Sequence, residues 1–215
     1  MRFRDRRQAG RELAARLRER QGEGALPDPV VLALPRGGVA VAAEVAAVLD
    51  APLDVLVVRK VGAPFHEEFG VGAMAGDGAV VFDDAALRGL GLSESDLAPV
   101  VERERTELRR RERLYRGDRP APDVRGRTVV VVDDGLATGS TARAALRALR
   151  ARRPGRLVLA TPVGSTEGVA LMRGEADEVV CLYEPPAFMA VGQWYEEFGQ
   201  LTDEDVLGAL RERQA

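Results

Sequence analysis

At 215 residues, 46% of them hydrophobic, the chain can bury one sizeable core, and a single α/β domain spanning 1–215 with appendages fits that length better than two. A formal net charge of −3 argues against a protein whose main partner is nucleic acid. No apolar run reaches the length of a membrane span, the first seven residues lack a signal peptide's apolar segment, and the single cysteine, Cys181, lies in an apolar run, so a reduced core thiol and a cytoplasmic setting are expected.

Residues 5–20 predict an amphipathic helix with Asp5 as its cap and Ala9, Leu13 and Leu17 at four-residue spacing on one face. Val30-Val-Leu-Ala-Leu34 reads as a buried strand, and Pro35-Arg-Gly-Gly38 turns it into a helix over 39–49. Two glycines let the backbone approach a ligand and Arg36 supplies a forked cation, so this turn is a candidate anion site; a ligand-free tight turn would use the same residues. A third strand is predicted from Leu53 to Val58, ending in Arg59-Lys60. Of 31 basic residues Lys60 is the one lysine, which leaves 30 arginines. A lysine is a compact, mobile point charge, able to follow a phosphate oxygen as it moves.

From 61 to 122 the pattern leaves the compact sheet. Gly70-Val-Gly-Ala-Met-Ala75, a turn at Gly76-Asp-Gly78 and Ala79-Val-Val-Phe82 predict a hairpin. Glu67, Glu68 and His66, the one histidine, read as solvated loop residues before they read as acids or bases of a reaction. Ser93 or Ser95 should cap a helix running to about Tyr115, with Pro99 tolerated in its first turn. Leu97, Val101, Leu108 and Tyr115 form its apolar stripe. Glu102, Glu104, Glu107 and the arginines from Arg103 to Arg113 form a charged surface with pairs such as Glu107 to Arg111. No aromatic residues interleave there for base stacking, which favours a salt-bridged face over a nucleic-acid surface.

The most informative stretch is Thr128-Val-Val-Val-Val-Asp-Asp-Gly-Leu-Ala-Thr-Gly-Ser-Thr141. Four consecutive valines give neither a helical stripe nor polar alternation, so they predict a parallel strand buried on both faces. Asp133 and Asp134 then stand at the strand's carboxyl end, where open α/β sheets bind ligands. The small, hydroxylic loop Gly135 to Thr141 leads into a helix with Ser140 or Thr141 near its N-cap, an arrangement that binds phosphate. Two carboxylates beside a phosphate alone would be repelled by it. Carboxylates accept hydrogen bonds from hydroxyls and attract Mg²⁺, so a ligand carrying a phosphate and a neighbouring cis-diol satisfies both halves. That combination describes a ribose 5-phosphate. The loop has no lysine for a Walker phosphate loop and no Gly-x-Gly-x-x-Gly for a dinucleotide fold, and no lysine follows to complete a receiver domain.

Strands at 157–160 and 178–182, around a helix near 166–173, complete the sheet, with Thr161-Pro-Val-Gly-Ser165 at its binding edge. The tail from 185 to 215 gathers Phe188, Trp194, Tyr195 and Phe198 before a last helix capped by Thr202. Phe188 and Trp194 are candidate contacts for a planar base; hydrophobic anchoring or a homodimer interface would use them equally well.

Val129 to Thr141 resembles the phosphoribosyl-pyrophosphate (PRPP) signature of type I phosphoribosyltransferases. Phe3-x-Asp-Arg-x-x-Ala-Gly-x-x-Leu-Ala14 resembles the opening of a bacterial group of predicted phosphoribosyltransferases. The resemblance implies a parallel β-sheet with helices on both faces, a flexible-loop and long-helix insertion over 61–122 and a small C-terminal hood. It implies that Asp133 and Asp134 hold the ribose hydroxyls, and Mg²⁺ through water, while Ala137, Thr138, Gly139, Ser140 and Thr141 wrap the 5-phosphate. It implies that Arg36, Gly37, Gly38 and Lys60 hold the pyrophosphate, with a cis bond between Pro35 and Arg36. Arg36, Lys60, Asp133 and Asp134 would then carry a Mg²⁺-dependent transfer of the phosphoribosyl group from PRPP to a nitrogenous base, as in nucleotide salvage. A PRPP-sensing regulator and a hydrolase using the same pocket are the other readings. Two departures stand out. Gly135 replaces an aliphatic residue common in the family, and Ala137 stands where the hypoxanthine/guanine enzymes place a third acid.

Overall fold

A computed structural model describes residues 2–76 and 79–212, without the side chains of residues 67, 68 and 79. The expected turn at Asp77-Gly78 and the Glu67 and Glu68 side chains therefore lie outside the described residues.

The chain begins with α1 (Arg6–Gly22), β1 (Pro29–Ala33), α2 (Gly38–Leu49) and β2 (Leu53–Val55). After the excursion described below come β6 (Thr128–Val132), α5 (Ser140–Ala151), β7 (Arg156–Val163), α6 (Thr166–Met172), β8 (Glu178–Tyr183) and α7 (Asp203–Glu212). β2, β1, β6, β7 and β8 form a five-stranded parallel sheet in that order. The four-valine run shows why both faces must be covered. Val130 and Val132, with Val31, Ala33, Val158 and Ala160, pack on the side of α1 and α2. Val129 and Val131, with Val30, Leu32, Leu157 and Leu159, pack against α5 and α6. Alternate side chains of one strand thus feed two cores, and burying either set is worth roughly 2 kcal/mol per aliphatic side chain before entropy is charged against it. Asp5 caps α1 as its position predicts, accepting the Gln8 N–H at 2.7 Å.

The third predicted strand is corrected. It stops at Val55, and a separate strand β3 (Val58–Ala63) begins an antiparallel sheet with β4 (His66–Ala75) and β5 (Ala79–Phe82). Lys60 is therefore in the middle of β3, outside the parallel sheet, and His66 opens β4 as an exposed residue instead of sitting in a loop. Leu56 and Val57 are buried in different cores, which turns the chain from one sheet to the other and could not be read from a continuous apolar run.

A helix missed in the sequence, α3 (Asp84–Leu90), follows, capped by Asp83 through the Ala85 and Ala86 N–H groups. Ser93 caps a short 3₁₀ turn at Glu94–Leu97, and the long helix α4 spans Ala98–Arg116 with Pro99 in its first turn. Its stripe of Leu97, Val101, Leu108 and Tyr115 is buried as expected. Glu104 is not part of the solvated face. It is buried and takes the Arg59 Nε–H at 2.8 Å, because a charge that far from water needs a guanidinium beside it. Arg116 donates to Asp54 at 2.8 Å and anchors the end of α4 on β2.

Candidate functional site

β1 and β6 are neighbours, paired from Pro29 with Thr128 to Ala33 with Val132. From β1 the sheet grows one way to β2, and from β6 the other way to β7 and β8, so their carboxyl ends flank the topological switch point. Pro35-Arg-Gly-Gly38 leaves one strand there and Asp133-Asp134 the other. They meet closely: a Cβ placed on Gly37 would lie 2.0 Å from Asp134 Oδ2, and one on Gly38 would lie 2.6 Å from the Val132 carbonyl. Both glycines are required by this approach, and the Pro35–Arg36 peptide is cis, as the resemblance implies.

Among the described residues the Arg36 and Gly37 N–H groups have no hydrogen-bond acceptor. Gly38 departs from the sequence reading in this respect. Its N–H donates to the Leu34 carbonyl at 3.1 Å as α2 begins, so it is committed to the turn and contributes space to the site instead of a donor.

The paired acids differ from each other. Asp133 Oδ1 accepts the Asp134 N–H at 2.9 Å, and loss of water together with the Asp134 charge beside it raises its carboxyl well above the usual range. Asp134 Oδ2 accepts the Arg6 Nε–H at 2.7 Å. Tyr195 donates its hydroxyl to the Asp134 carbonyl at 2.6 Å, and burial pushes that phenol up.

Gly135 now has a reason. A Cβ there would sit 2.3 Å from Val191 Cγ1, so the tail occupies the room that an aliphatic residue at 135 would fill. The loop from Gly135 to Thr141 is pinned from behind. Leu136 N–H donates to Val163, Ser165 N–H to Leu136, and Ser165 Oγ to the Ala137 carbonyl at 2.6 Å. With its carbonyls turned back, the loop leaves the Ala137, Thr138 and Gly139 N–H groups without an acceptor among the described residues. Ser140 opens the helix next to its N-cap, as expected; the cap itself is Gly139, with φ +74°, and the Ser140 N–H meets Thr138 Oγ1 at 3.4 Å. Ser140 Oγ accepts Lys60 Nζ at 2.6 Å and Thr138 Oγ1 at 3.4 Å. The structure thus brings Lys60 to the Gly135–Thr141 loop; its contact is with Ser140 and not with the Arg36 turn. Lys60 lines both a 190 Å³ cleft with Thr138 and Ser140 and a 350 Å³ cleft with Thr141.

Two site residues were missed in the sequence, both from the opening motif. Phe3 N–H donates to the Trp194 carbonyl and Glu196 N–H returns to Phe3, so the segment before α1 pairs with the 194–196 tail. Arg6 enters beneath it, donates also to the Gly199 carbonyl and lies 3.9 Å from the Phe198 ring centroid. The conjunction Phe3-x-Asp-Arg6 was the available signal; helical periodicity marks only an amphipathic helix there. Phe188 and Trp194 are half-buried and 6.4 Å apart in a stacked pair, and Trp194 meets Tyr183 edge-on at 5.2 Å. They belong to the small cluster around Phe3 and Tyr195.

A strand-end acid pair, an amide-lined loop and a cationic turn thus meet at one switch point. The family model for the phosphoribosyl transferase domain matches residues 4–191, and the chain belongs to that family. It is 48% identical over 208 residues, 97% of its length, to the Mycobacterium tuberculosis proteins named "Putative phosphoribosyl transferase Rv0571c" and "Putative phosphoribosyl transferase MT0597". The chain spans about half the length, 46%, of those curated relatives. The crystal structure of TT1426 from Thermus thermophilus is 48% identical, covers 99% of both chains and superposes with a TM-score of 0.88. No helix among the described residues is long and apolar enough to cross a membrane.

Proposed function

We propose that this domain transfers the 5-phosphoribosyl group of PRPP to a nitrogenous base and releases pyrophosphate. The observation that carries the reading is the approach of Gly37 to Asp134, which sets a candidate diphosphate turn against a candidate ribose clamp at one sheet edge. In this reading the Ala137 to Thr141 loop takes the 5-phosphate on its free N–H groups. Asp133 and Asp134 accept the ribose hydroxyls and orient a ring whose C1 becomes electron-poor as the pyrophosphate leaves. Arg36 and the Arg36 and Gly37 N–H groups face the charge that develops on the leaving group, and Lys60 reaches the loop from the hairpin.

Among the described residues no group of three or more His, Cys, Asp or Glu side chains could hold a metal. The adjacent acids suit a hard cation that keeps most of its water and takes other oxygens from a bound diphosphate. Asp134, through water, would hold Mg²⁺ in that way, and the ion when bound would neutralise pyrophosphate charge.

The test is pyrophosphate release from PRPP with Mg²⁺ and a panel of purine and pyrimidine bases. Base-dependent release with formation of the nucleotide is expected. Release without any base would mean a hydrolase, and PRPP binding without release would mean a sensor; either outcome overturns the transfer reading.

A further inference from the structure

Asp134 is held at three of its polar atoms. Its N–H goes to Asp133 Oδ1 at 2.9 Å, its carbonyl accepts the Tyr195 hydroxyl at 2.6 Å, and its Oδ2 accepts the Arg6 Nε–H at 2.7 Å. Oδ2 also lies against Gly37, where a Cβ would come within 2.0 Å of it. Among the described residues, Asp134 Oδ1 is left without a hydrogen-bond donor.

Arg6 has little freedom of its own. Its Nη1 donates to the Gly199 carbonyl at 2.8 Å, its guanidinium carbon lies 3.9 Å from the Phe198 ring centroid, and its side chain is 10% exposed. The planar fork therefore takes its direction from the tail and hands it to Asp134. A carboxylate held by one loose bond can turn about its last torsion, whose wells are broad. Wedged between Gly37 and a guanidinium that is itself fixed, the Asp134 carboxylate keeps one orientation.

Ion pairs this sheltered also occur away from the sheet's switch point, as at Arg116 and Asp54, where α4 meets β2. Arg6 differs in the place of its acid, at the carboxyl end of β6 beside the Arg36-Gly37 turn. Among the described residues it is also the one cation within ion-pair distance of either Asp133 or Asp134. Two uncompensated acids would repel a phosphorylated ligand brought to that edge, and Arg6 offsets one of the two charges.

We propose that Arg6 is a positioning residue for sugar recognition: without touching the sugar, it aims Asp134 Oδ1 at one hydroxyl of a pentose phosphate. The inference rests on the proposed function in taking the acid pair as the ribose clamp. It adds that the clamp is set from outside the β6 loop, by α1 and the tail.

The experiment is titration calorimetry of the full chain with ribose 5-phosphate and its 2-deoxy and 3-deoxy counterparts, three probes of equal charge. The proteins are the wild type, R6Q, R6K and F198L, each first checked for a cooperative unfolding transition. The wild type should prefer ribose 5-phosphate over at least one deoxy counterpart by about tenfold or more, as a hydrogen bond to a charged group allows. In R6Q that preference should fall below about threefold, since an unaimed carboxylate gains little from the hydroxyl. R6K restores the charge without the fork and should recover part of it. F198L removes the ring on which Arg6 rests, should fall between the wild type and R6Q, and carries the test if R6Q does not fold.

An undiminished preference in R6Q, or in F198L where R6Q does not fold, would overturn the proposal. So would a fall in all three affinities by one common factor, which would mean that Arg6 supports only the fold. A wild type that binds none of the three, or all three alike, would overturn it together with the ribose clamp. A preference that survives in R6Q leaves the clamp and the transferase reading standing.

Discussion

Arg6 and Asp134 stand 128 positions apart in the chain and 2.7 Å apart in the fold, with side chains only 10% and 14% exposed. Helix α1 is thereby tied to the acid pair at the end of β6, and the tail closes over the joint through Gly199, Phe198 and Tyr195.

Removing one partner of so sheltered a pair strands the other's charge, so Arg6→Met should destabilise the fold by about 3 kcal/mol in urea titrations. Asp134→Asn should cost a similar amount. Because both changes break the same contact, the double variant should lose less than the sum, with a coupling above about 1 kcal/mol. Additive losses would mean that the contact is incidental to stability.

Gly135→Ala tests the contact between loop and tail. The new methyl would fall within 2.3 Å of Val191 Cγ1, and the tail has to shift to admit it. Overpacking of this kind typically costs about 1 to 3 kcal/mol. Val191→Ala in the same chain removes the colliding methyls, so thermal unfolding of the double variant should recover part of the loss. A G135A protein as stable as wild type would show that the tail is not seated on the loop.

Much of this was legible beforehand because the strongest signals were local. The run Val129 to Val132 could only be a strand with two covered faces, and the Asp-Asp and Gly/Thr/Ser residues behind it had few structural uses other than a site. What escaped depended on distant partners. The apolar run Leu53 to Val58 reads as one strand, and only the opposite destinations of Leu56 and Val57 divide it between two sheets. Glu104 looks solvated until Arg59, 45 positions earlier, folds onto it. Arg6 looked like one more arginine on a surface helix because nothing local marks it as the partner of Asp134. Asp83 did carry the sign of a cap, but the short helix it starts lacks the periodicity needed to single it out.

Lys60→Met separates chemistry from folding. Lys60 is exposed and its contact is with Ser140 Oγ at the rim of the Gly135–Thr141 loop, so the melting temperature should hardly move. If the cation meets a phosphate oxygen there, kcat/KM for PRPP should fall about tenfold to a hundredfold, or roughly 1.4 to 2.7 kcal/mol of transition-state stabilisation. Lys60→Arg should recover only part, since a planar fork cannot replace a mobile point charge. Unchanged kinetics in Lys60→Met would leave the lysine with no part in the reaction.

The lone thiol provides a check on the sheet itself. Burial pushes Cys181 from an ordinary 9.0 up to about 12, outweighing the Tyr183 backbone, which draws it down. At pH 8 the thiolate fraction in the folded chain should then be roughly a thousandfold below that of the unfolded chain, and the thiolate is the reactive form. Disulfide-exchange labelling should therefore be slow in the native protein and fast in denaturant. The sign for stability follows from a raised acid: the stabilising contribution of the neutral thiol is complete below pH 9 and is lost as pH climbs from about 9 towards 12. Cys181→Ser should remove that alkaline component of the stability profile. Native labelling at the rate of a free thiol would mean that β8 does not shelter its cysteine as the parallel sheet requires.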